Sequence, residues 1–312
     1  MPVAVLFPGQ GSQYAGMADP WTVHGAGRAV LEEVSELLGR DVVAGCRDEE
    51  ALASTGFVQP GLFACDLAAF RVLEAEGVRA GAAAGHSLGE LAALAASGAL
   101  DLPDAVAIVA ERGRAMEAAA RARPGTMTAL LGPTLEEARA ICEEARGGDV
   151  LVVANENAER QAVLSGSVPA VERAEALARE RGARAVRLRV AGAFHSPLME
   201  PALEPLRARV AAARFRPPRF PVASNVSGAL EDDPEVLREL VVRQVVSPVR
   251  WEAAMRALAA AGFDAFLEAG PGDVLTKLAR RAVPGALALA VGSPEAAREA
   301  AAAVPAAAGE DG

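Results

Sequence analysis

The chain has 312 residues, room for one large domain or a large domain carrying a smaller insertion at ~100 to 200 residues per domain. Hydrophobic residues make up 52%, charged residues 23% and aromatics 4%, a composition that builds a core from Ala, Val and Leu and excludes disorder over most of the length. The net charge of −10, from 31 basic and 41 acidic residues with Lys277 the only lysine, excludes a broadly basic nucleic-acid binder.

Cys46, Cys65 and Cys142 are widely spaced and form no CxxC pair, so neither a disulfide framework nor a zinc site is expected, only small core residues. The start, Met1 to Gly9, lacks a basic segment ahead of its short apolar run and does not read as a signal peptide. Arg, Glu, Gly and Pro break the apolar stretches below the ~18 residues of a membrane span. A soluble, cytoplasmic protein with no membrane partner is expected.

Val3 to Phe7 is an apolar run closed by Pro8-Gly9-Gln10-Gly11-Ser12, which predicts a buried strand and a tight turn. Helical patterns follow over 27–38 and 61–76, then a short apolar strand Ala80 to Gly85, a turn at His86-Ser87-Leu88-Gly89, and a helix Leu91 to Ala96. The rhythm changes between 125 and 191. Strands are expected at Thr126–Leu131, Val150–Ala154, Gln161–Ser165 and Ala185–Val190. Between them lie helices at Thr134–Arg146, with Thr134 and Glu137 as a capping box, and Val168–Arg181. That order, βαββαβ, is the split-βαβ or ferredoxin-like pattern. It reads as a small domain, 125–191, inserted into a larger α/β domain formed by 1–124 and 192–312. The larger part resumes with a strand at Pro221–Asn225, helices after Asp233 and over Trp251–Ala260, and a strand Ala265–Glu268. This alternation predicts a mostly parallel sheet covered on both faces. A last helix and a frayed end are expected after Pro294.

The sharpest chemical signal is Gly85-His86-Ser87-Leu88-Gly89, a G-x-S-x-G sequence between a strand and a helix. Such an elbow projects a serine Oγ clear of the sheet, and flanking glycines leave room for the turn; a glycine-rich turn with a capping serine is the bland alternative. An activated serine needs a base, and the chain has only His24, His86 and His195. His86 adjoins Ser87 on a turn where neighbouring side chains diverge, which suits packing or a pocket wall. His24 lies in a polar stretch where a surface role is expected. His195, in the loop Gly192-Ala193-Phe194-His195-Ser196, is the best candidate general base. The loop Phe7 to Gln13 lacks the Gly-Lys-Ser/Thr ending of a phosphate loop. It reads either as a plain turn or as one side of an oxyanion hole, with the N–H of Gln10 joined by that of Leu88.

Taken in order, the segments Leu6 to Gln13, Gly85 to Glu90, Glu111-Arg112-Gly113, Gly192 to Ser196, Arg243-Gln244 before Pro248-Val249-Arg250-Trp251, and Glu268 to Gly272 resemble the malonyl-CoA:acyl-carrier-protein transacylases. The same family supplies the acyltransferase domains of polyketide and fatty-acid synthases. The resemblance runs over about residues 3–290. It implies an α/β-hydrolase-like large domain with a ferredoxin-like insert, and ping-pong transfer of a malonyl group from malonyl-CoA to the phosphopantetheine thiol of an acyl-carrier protein. Ser87 would be the nucleophile, His195 the base, the Gln244 backbone carbonyl its orienting acceptor, and Gln10 and Leu88 the oxyanion donors. Arg112 would receive the malonyl carboxylate, bidentate pairing being what a guanidinium offers; on helical pattern alone it would be a solvated arginine. Asn155, or Asn157 in its place, would line the cleft. No cofactor is implied, since coenzyme A enters as a thioester substrate.

Two departures stand out. Residues 17–27 do not look like the family's usual helix, and the loop before His195 has the malonyl-selecting form. A serine esterase or thioesterase, which would need no carboxylate-binding arginine, and a silent scaffold are the competing readings. A monomer is expected. Anionic ligands of so acidic a chain need local positive fields; Arg179 to Arg189 and Arg207 to Arg219, two arginine-rich stretches, are candidates for a basic rim.

Overall fold

All five residues of Val3–Phe7 (β1) are buried, as a strand covered on both faces requires. The computed structural model describes residues 1–304. The other strands are Ala80–Gly85 (β2), Thr126–Leu131 (β3), Leu151–Ala158 (β4), Gln161–Gly166 (β5), Arg184–Arg187 (β6), Val222–Ala223 (β7), Leu230–Glu231 (β8), Ala265–Ala269 (β9) and Leu287–Val291 (β10). They form two sheets. One has six strands in the order β10-β9-β1-β2-β7-β8, parallel throughout except where β8 pairs with β7. The other has four strands, β4-β5-β3-β6, all antiparallel.

Side-chain alternation along β1 divides the main core in two. Val3, Val5 and Phe7 pack with Leu267 of β9 and the helix Thr55–Ala75, while Ala4 and Leu6 pack with Phe266, Trp251 and the helix Val274–Ala282. The small sheet has its own core: Leu130 and Leu164 meet Ile141 and Val171 from the helices Leu135–Arg146 and Val168–Glu180. Its opposite face, including Met127, Ala129 and Val163, looks into a cleft against the larger sheet. The edge strand β4 is tied to the segment that leads into the helix Trp251–Ala260, where Glu156 N donates to Val249 O (2.9 Å) and Val249 N to Ala154 O (2.8 Å).

The capping box of Thr134 and Glu137 forms, and Trp251–Ala260 is a helix over the expected span. Other boundaries differ for physical reasons. The helix expected over 61–76 begins at Thr55 and carries Pro60 inside it. With those six extra residues it is long and apolar enough to cross a membrane by length and composition, contrary to the sequence expectation; 89% of its most apolar stretch is buried inside the protein. Residues 17–27 hold a 3-10 turn, Asp19–Val23, around the buried Trp21. His24, expected as a surface residue, is partly buried and caps the next helix, its Nδ1 accepting from Ala26 N (3.3 Å). The strand expected at Pro221–Asn225 shrinks to β7 because Ser224 and Asn225 turn away into hydrogen bonds. The strand β6 ends at Arg187, short of Val190; Leu188 N still donates to Met127 O (2.9 Å), and Leu188 and Val190 line the cleft. Ala-rich β10 gave no strand signal. The last helix is Pro294–Ala303, and the expected frayed end lies outside the described residues.

The close approach of β1 and β2 at their carboxyl ends leaves no room for side chains. A Cβ on Gly89 would stand 2.1 Å from Phe7 O, and one on Gly85 would stand 1.9 Å from Gly89 C. Gly89→Ala therefore forces backbone to move. It is expected to cost about 3 kcal/mol or more, against ~1–3 for ordinary overpacking, and to lower Tm by roughly 6 °C or more at ~2–4 °C per kcal/mol in thermal unfolding.

Candidate active site

Ser87 occupies the left-handed region, with φ 53°, the strained backbone of a nucleophile elbow. The turn is held from below. Ser87 N donates to Asn225 Oδ1 (2.7 Å), Asn225 Nδ2 donates to Gly85 O (2.7 Å), and Gln244 Nε2 donates to Ser87 O (2.9 Å). Register places Phe7 beside Gly85, so the loop after β1 runs alongside the elbow, at the carboxyl ends of parallel strands where such sheets bind ligands.

His195 also has a positive φ, 56°, and is 3% exposed. Its Nδ1 is 2.9 Å from Gln244 O. A carbonyl can only accept, so Nδ1 carries the hydrogen and Nε2 presents its lone pair. Ser87 Oγ lies 2.7 Å from that Nε2 and donates to it. Burial, then the charge of Arg112, lowers the His195 pKa to about 3; the imidazole is neutral, with its Nε2 lone pair turned to Ser87 Oγ.

Arg112, expected from its helical pattern to be solvated, is 1% exposed. Nη1 donates to Gln59 Oε1 (2.7 Å), while Nη2 donates to Gln244 Oε1 (2.8 Å) and Ser87 Oγ (3.2 Å). Its Nε–H has no partner among the described residues. Burial lowers its pKa to about 10, opposed by Glu90, so it stays cationic at neutral pH. Gln244 thus acts at three points: its carbonyl orients His195, its Oε1 holds Arg112, and its Nε2 reaches the elbow and Glu90 Oε2 (2.6 Å).

These groups open onto a cleft of about 270 Å³ lined from the main sheet by Gln10, Ser87, Leu88 and His195, and from the small sheet by Met127, Asn155, Asn157 and Val163. The N–H groups of Gln10 and Leu88 donate to no backbone group among the described residues. His86 lines the cleft rather than serving as a base. Its ring sits 5.4 Å from that of Trp251, its Nε2 donates to Asn157 Oδ1 (2.9 Å), and burial lowers its pKa. Asn155 Nδ2 is 3.4 Å from the same nitrogen, and Asn155 Oδ1 is buried without a partner. Both asparagines therefore line the cleft, and Asn157 is the one bonded to His86.

The sequence reading missed Gln59, Glu90, Asn225 and the side chain of Gln244. Gln59 is a buried polar residue within the apolar run of the helix Thr55–Ala75, a visible anomaly. Glu90 directly follows the elbow motif. Asn225 carried no signal, since its partners lie 138 and 140 residues away. The proposed basic rim takes little support from the arginine-rich stretches: Arg179, Arg181, Arg187, Arg216 and Arg219 are each paired with a carboxylate.

The acyl transferase domain family matches residues 5–304. The chain is 38% identical over 298 residues to the malonyl CoA-acyl carrier protein transacylase of Escherichia coli strain K12, covering 94% of this chain and 96% of that one. The solved malonyl CoA-acyl carrier protein transacylase of Coxiella burnetii superposes with a TM-score of 0.93 at 35% identity, over 96% of each chain. A solved complex of a type II PKS acyl-carrier protein with its malonyl-transacylase also gives 0.93 at 35% identity, over 97% of this chain and 100% of that one.

The low pKa of His195 has a direct consequence for Ser87. Labelling of Ser87 by a fluorophosphonate is expected to proceed at nearly the same rate at pH 5 as at pH 7, because a base of pKa about 3 is neutral at both. A histidine of ordinary pKa, ~6.5, would lose about 25-fold. Loss of the rate along that ordinary curve would remove the buried, neutral base.

Proposed function

The chain belongs to the acyl transferase domain family, and on that premise we propose that it transfers a malonyl group from malonyl-CoA to the phosphopantetheine thiol of an acyl-carrier protein. The single observation that carries this reading is Arg112, one hydrogen bond from the oxygen of an activated serine. Malonyl has a single methylene between its thioester carbon and its carboxylate. A buried guanidinium beside the nucleophile, with an unpartnered Nε–H, is placed to pair with an acid group at that short reach.

In this reading Ser87 Oγ attacks the thioester carbonyl as its proton passes to His195 Nε2. The developing oxyanion sits between the N–H groups of Gln10 and Leu88. The tetrahedral intermediate collapses by breaking the carbon–sulfur bond, and His195 returns the proton to the coenzyme A thiolate. The malonyl-Ser87 ester then waits, its carboxylate on Arg112. The carrier's thiol gives its proton to His195, attacks the ester, and leaves with the malonyl group as Ser87 regains its proton. Asn155 and His86 form the cleft wall opposite Arg112. Coenzyme A is a substrate, and the mechanism calls on no cofactor.

The finer fold description belongs to the same proposal. The six-stranded sheet supports an α/β-hydrolase-like domain, 1–124 and 192–312, and the βαββαβ order of the four-stranded sheet supports a ferredoxin-like domain at 125–191. A cytoplasmic monomer serving fatty-acid or polyketide synthesis fits this activity.

Ser87→Ala is expected to abolish the malonyl adduct seen by intact-mass spectrometry after mixing with malonyl-CoA; an adduct of unchanged amount would refute the nucleophile. Arg112→Ala is expected to reduce malonyl transfer roughly 10- to 150-fold while reducing acetyl transfer far less, because a charged hydrogen-bonded pair contributes ~1.5–3 kcal/mol. Equal losses for both acyl groups would remove the carboxylate clamp. Release of free malonate in preference to malonyl-carrier, with carrier present, would make the protein a hydrolase.

A further inference from the structure

Glu90 is the first acidic residue of the helix Gly89–Ser97 and is fully buried beneath the elbow. Its Oε2 accepts from Gln244 Nε2 (2.6 Å) and Asn225 N (3.2 Å), while Oε1 is buried and receives no N–H donor among the described residues. Arg112, from the helix Leu102–Ala122, is the charged side chain facing it; Gln244, Asn225 and the Ser224 hydroxyl face it as neutral partners, and neutral His195 lies beyond Gln244. Glu90 and Arg112 do not touch. The Gln244 carboxamide stands between them, giving its oxygen to Arg112 and its nitrogen to Glu90. In the free protein the site therefore holds one guanidinium and one carboxyl whose second oxygen receives no N–H donor among the described residues and has only the Ser224 hydroxyl near it.

Resting on the malonyl-transfer reading, we propose that Glu90 is a positioning residue that holds Arg112 through the Gln244 carboxamide, and that it takes up one proton when a carboxylated acyl group pairs with Arg112. The physical reason is a charge count. Two carboxylates around one buried guanidinium leave an uncompensated negative charge in surroundings of low dielectric, where Arg112 and Glu90 are each 1% exposed, and such a charge is relieved by protonation. The carboxyl with an empty oxygen is the group with room for the proton. The chemistry of acyl transfer is itself proton-balanced, since the Ser87 proton leaves on the coenzyme A thiol, so the extra proton comes from solvent.

Burial already raises the Glu90 pKa to about 7, against the lowering effects of Gln244, Asn225 and Arg112. The sign follows. Above pH 7 the free protein holds Glu90 mostly ionised; the arriving carboxylate raises its pKa further, and protons are bound. At pH 8 in weak buffer with an indicator dye, malonylation is expected to take up between half a proton and one proton per site. Glu90→Gln keeps both acceptor contacts and offers an N–H toward the empty side, so it is expected to form the malonyl ester with no such uptake. The wild-type kcat/KM for malonyl-CoA is expected to fall through pH 7–8, and the Gln variant to be flat over that range. Full malonyl-Ser87 by mass spectrometry with equal proton balance in wild type and variant would overturn the proposal. If Glu90→Gln does not fold, a wild-type kcat/KM with no fall from pH 7 to 8 would overturn it as well. Absence of any malonyl-Ser87 would overturn instead the transfer reading on which it rests.

Discussion

A positive charge is held inside this protein without a carboxylate in contact. Placing a guanidinium in the interior costs several kcal/mol unless its donors are satisfied and a counter-charge is near. Around Arg112 both requirements are met indirectly, by two glutamine oxygens and by Glu90 one amide farther away. The arrangement leaves the cation bound with its Nε–H unpartnered among the described residues. A direct Glu90–Arg112 pair would occupy the donors that a ligand carboxylate needs.

The same glutamine that insulates Arg112 from Glu90 orients the histidine. Because the Gln244 carbonyl fixes the Nδ1 hydrogen, a neutral acceptor does the work that a buried carboxylate does in many serine hydrolases. A carboxylate there would stabilise an imidazolium, but it would also compete for Arg112. With Arg112 close by, positive charge on His195 is disfavoured at rest. In the proposed mechanism the site therefore separates two tasks: accepting a proton at His195 and holding an anion at Arg112.

The backbone geometry that assembles these groups is rigid. Left-handed conformations at Ser87 and His195 cost on the order of 1–3 kcal/mol each and persist because the surrounding hydrogen bonds and close backbone contacts leave no alternative. Asn225 ties the elbow to the strand end, and Gly9, whose Cβ would stand 2.3 Å from His86 O, lets the neighbouring loop lie against it. The small sheet contributes the opposite cleft wall from strands whose other face is packed on its own helices, so that wall is built from folded structure on both sides.

Local information in the sequence was sufficient for the elements whose signals are short in range. The capping box at Thr134, the elbow at Gly85 to Gly89, the βαββαβ order and the apolar strands around β1 depend on neighbours a few residues apart, and they formed where expected. That Ser87 and His195, rather than His24 or His86, would meet was equally legible, because the residue types suited to nucleophile and base are few. Tertiary structure alone decided the rest. Arg112 reads as a surface residue in helical periodicity and becomes buried only because the helix Leu102–Ala122 packs against Thr55–Ala75 and presents it to residues 25 and 132 positions away. Asn225, Gln59 and the side chain of Gln244 gain their roles from hydrogen bonds across the fold, and a hydrogen bond across 50 or more residues leaves no period or spacing in the chain that makes it.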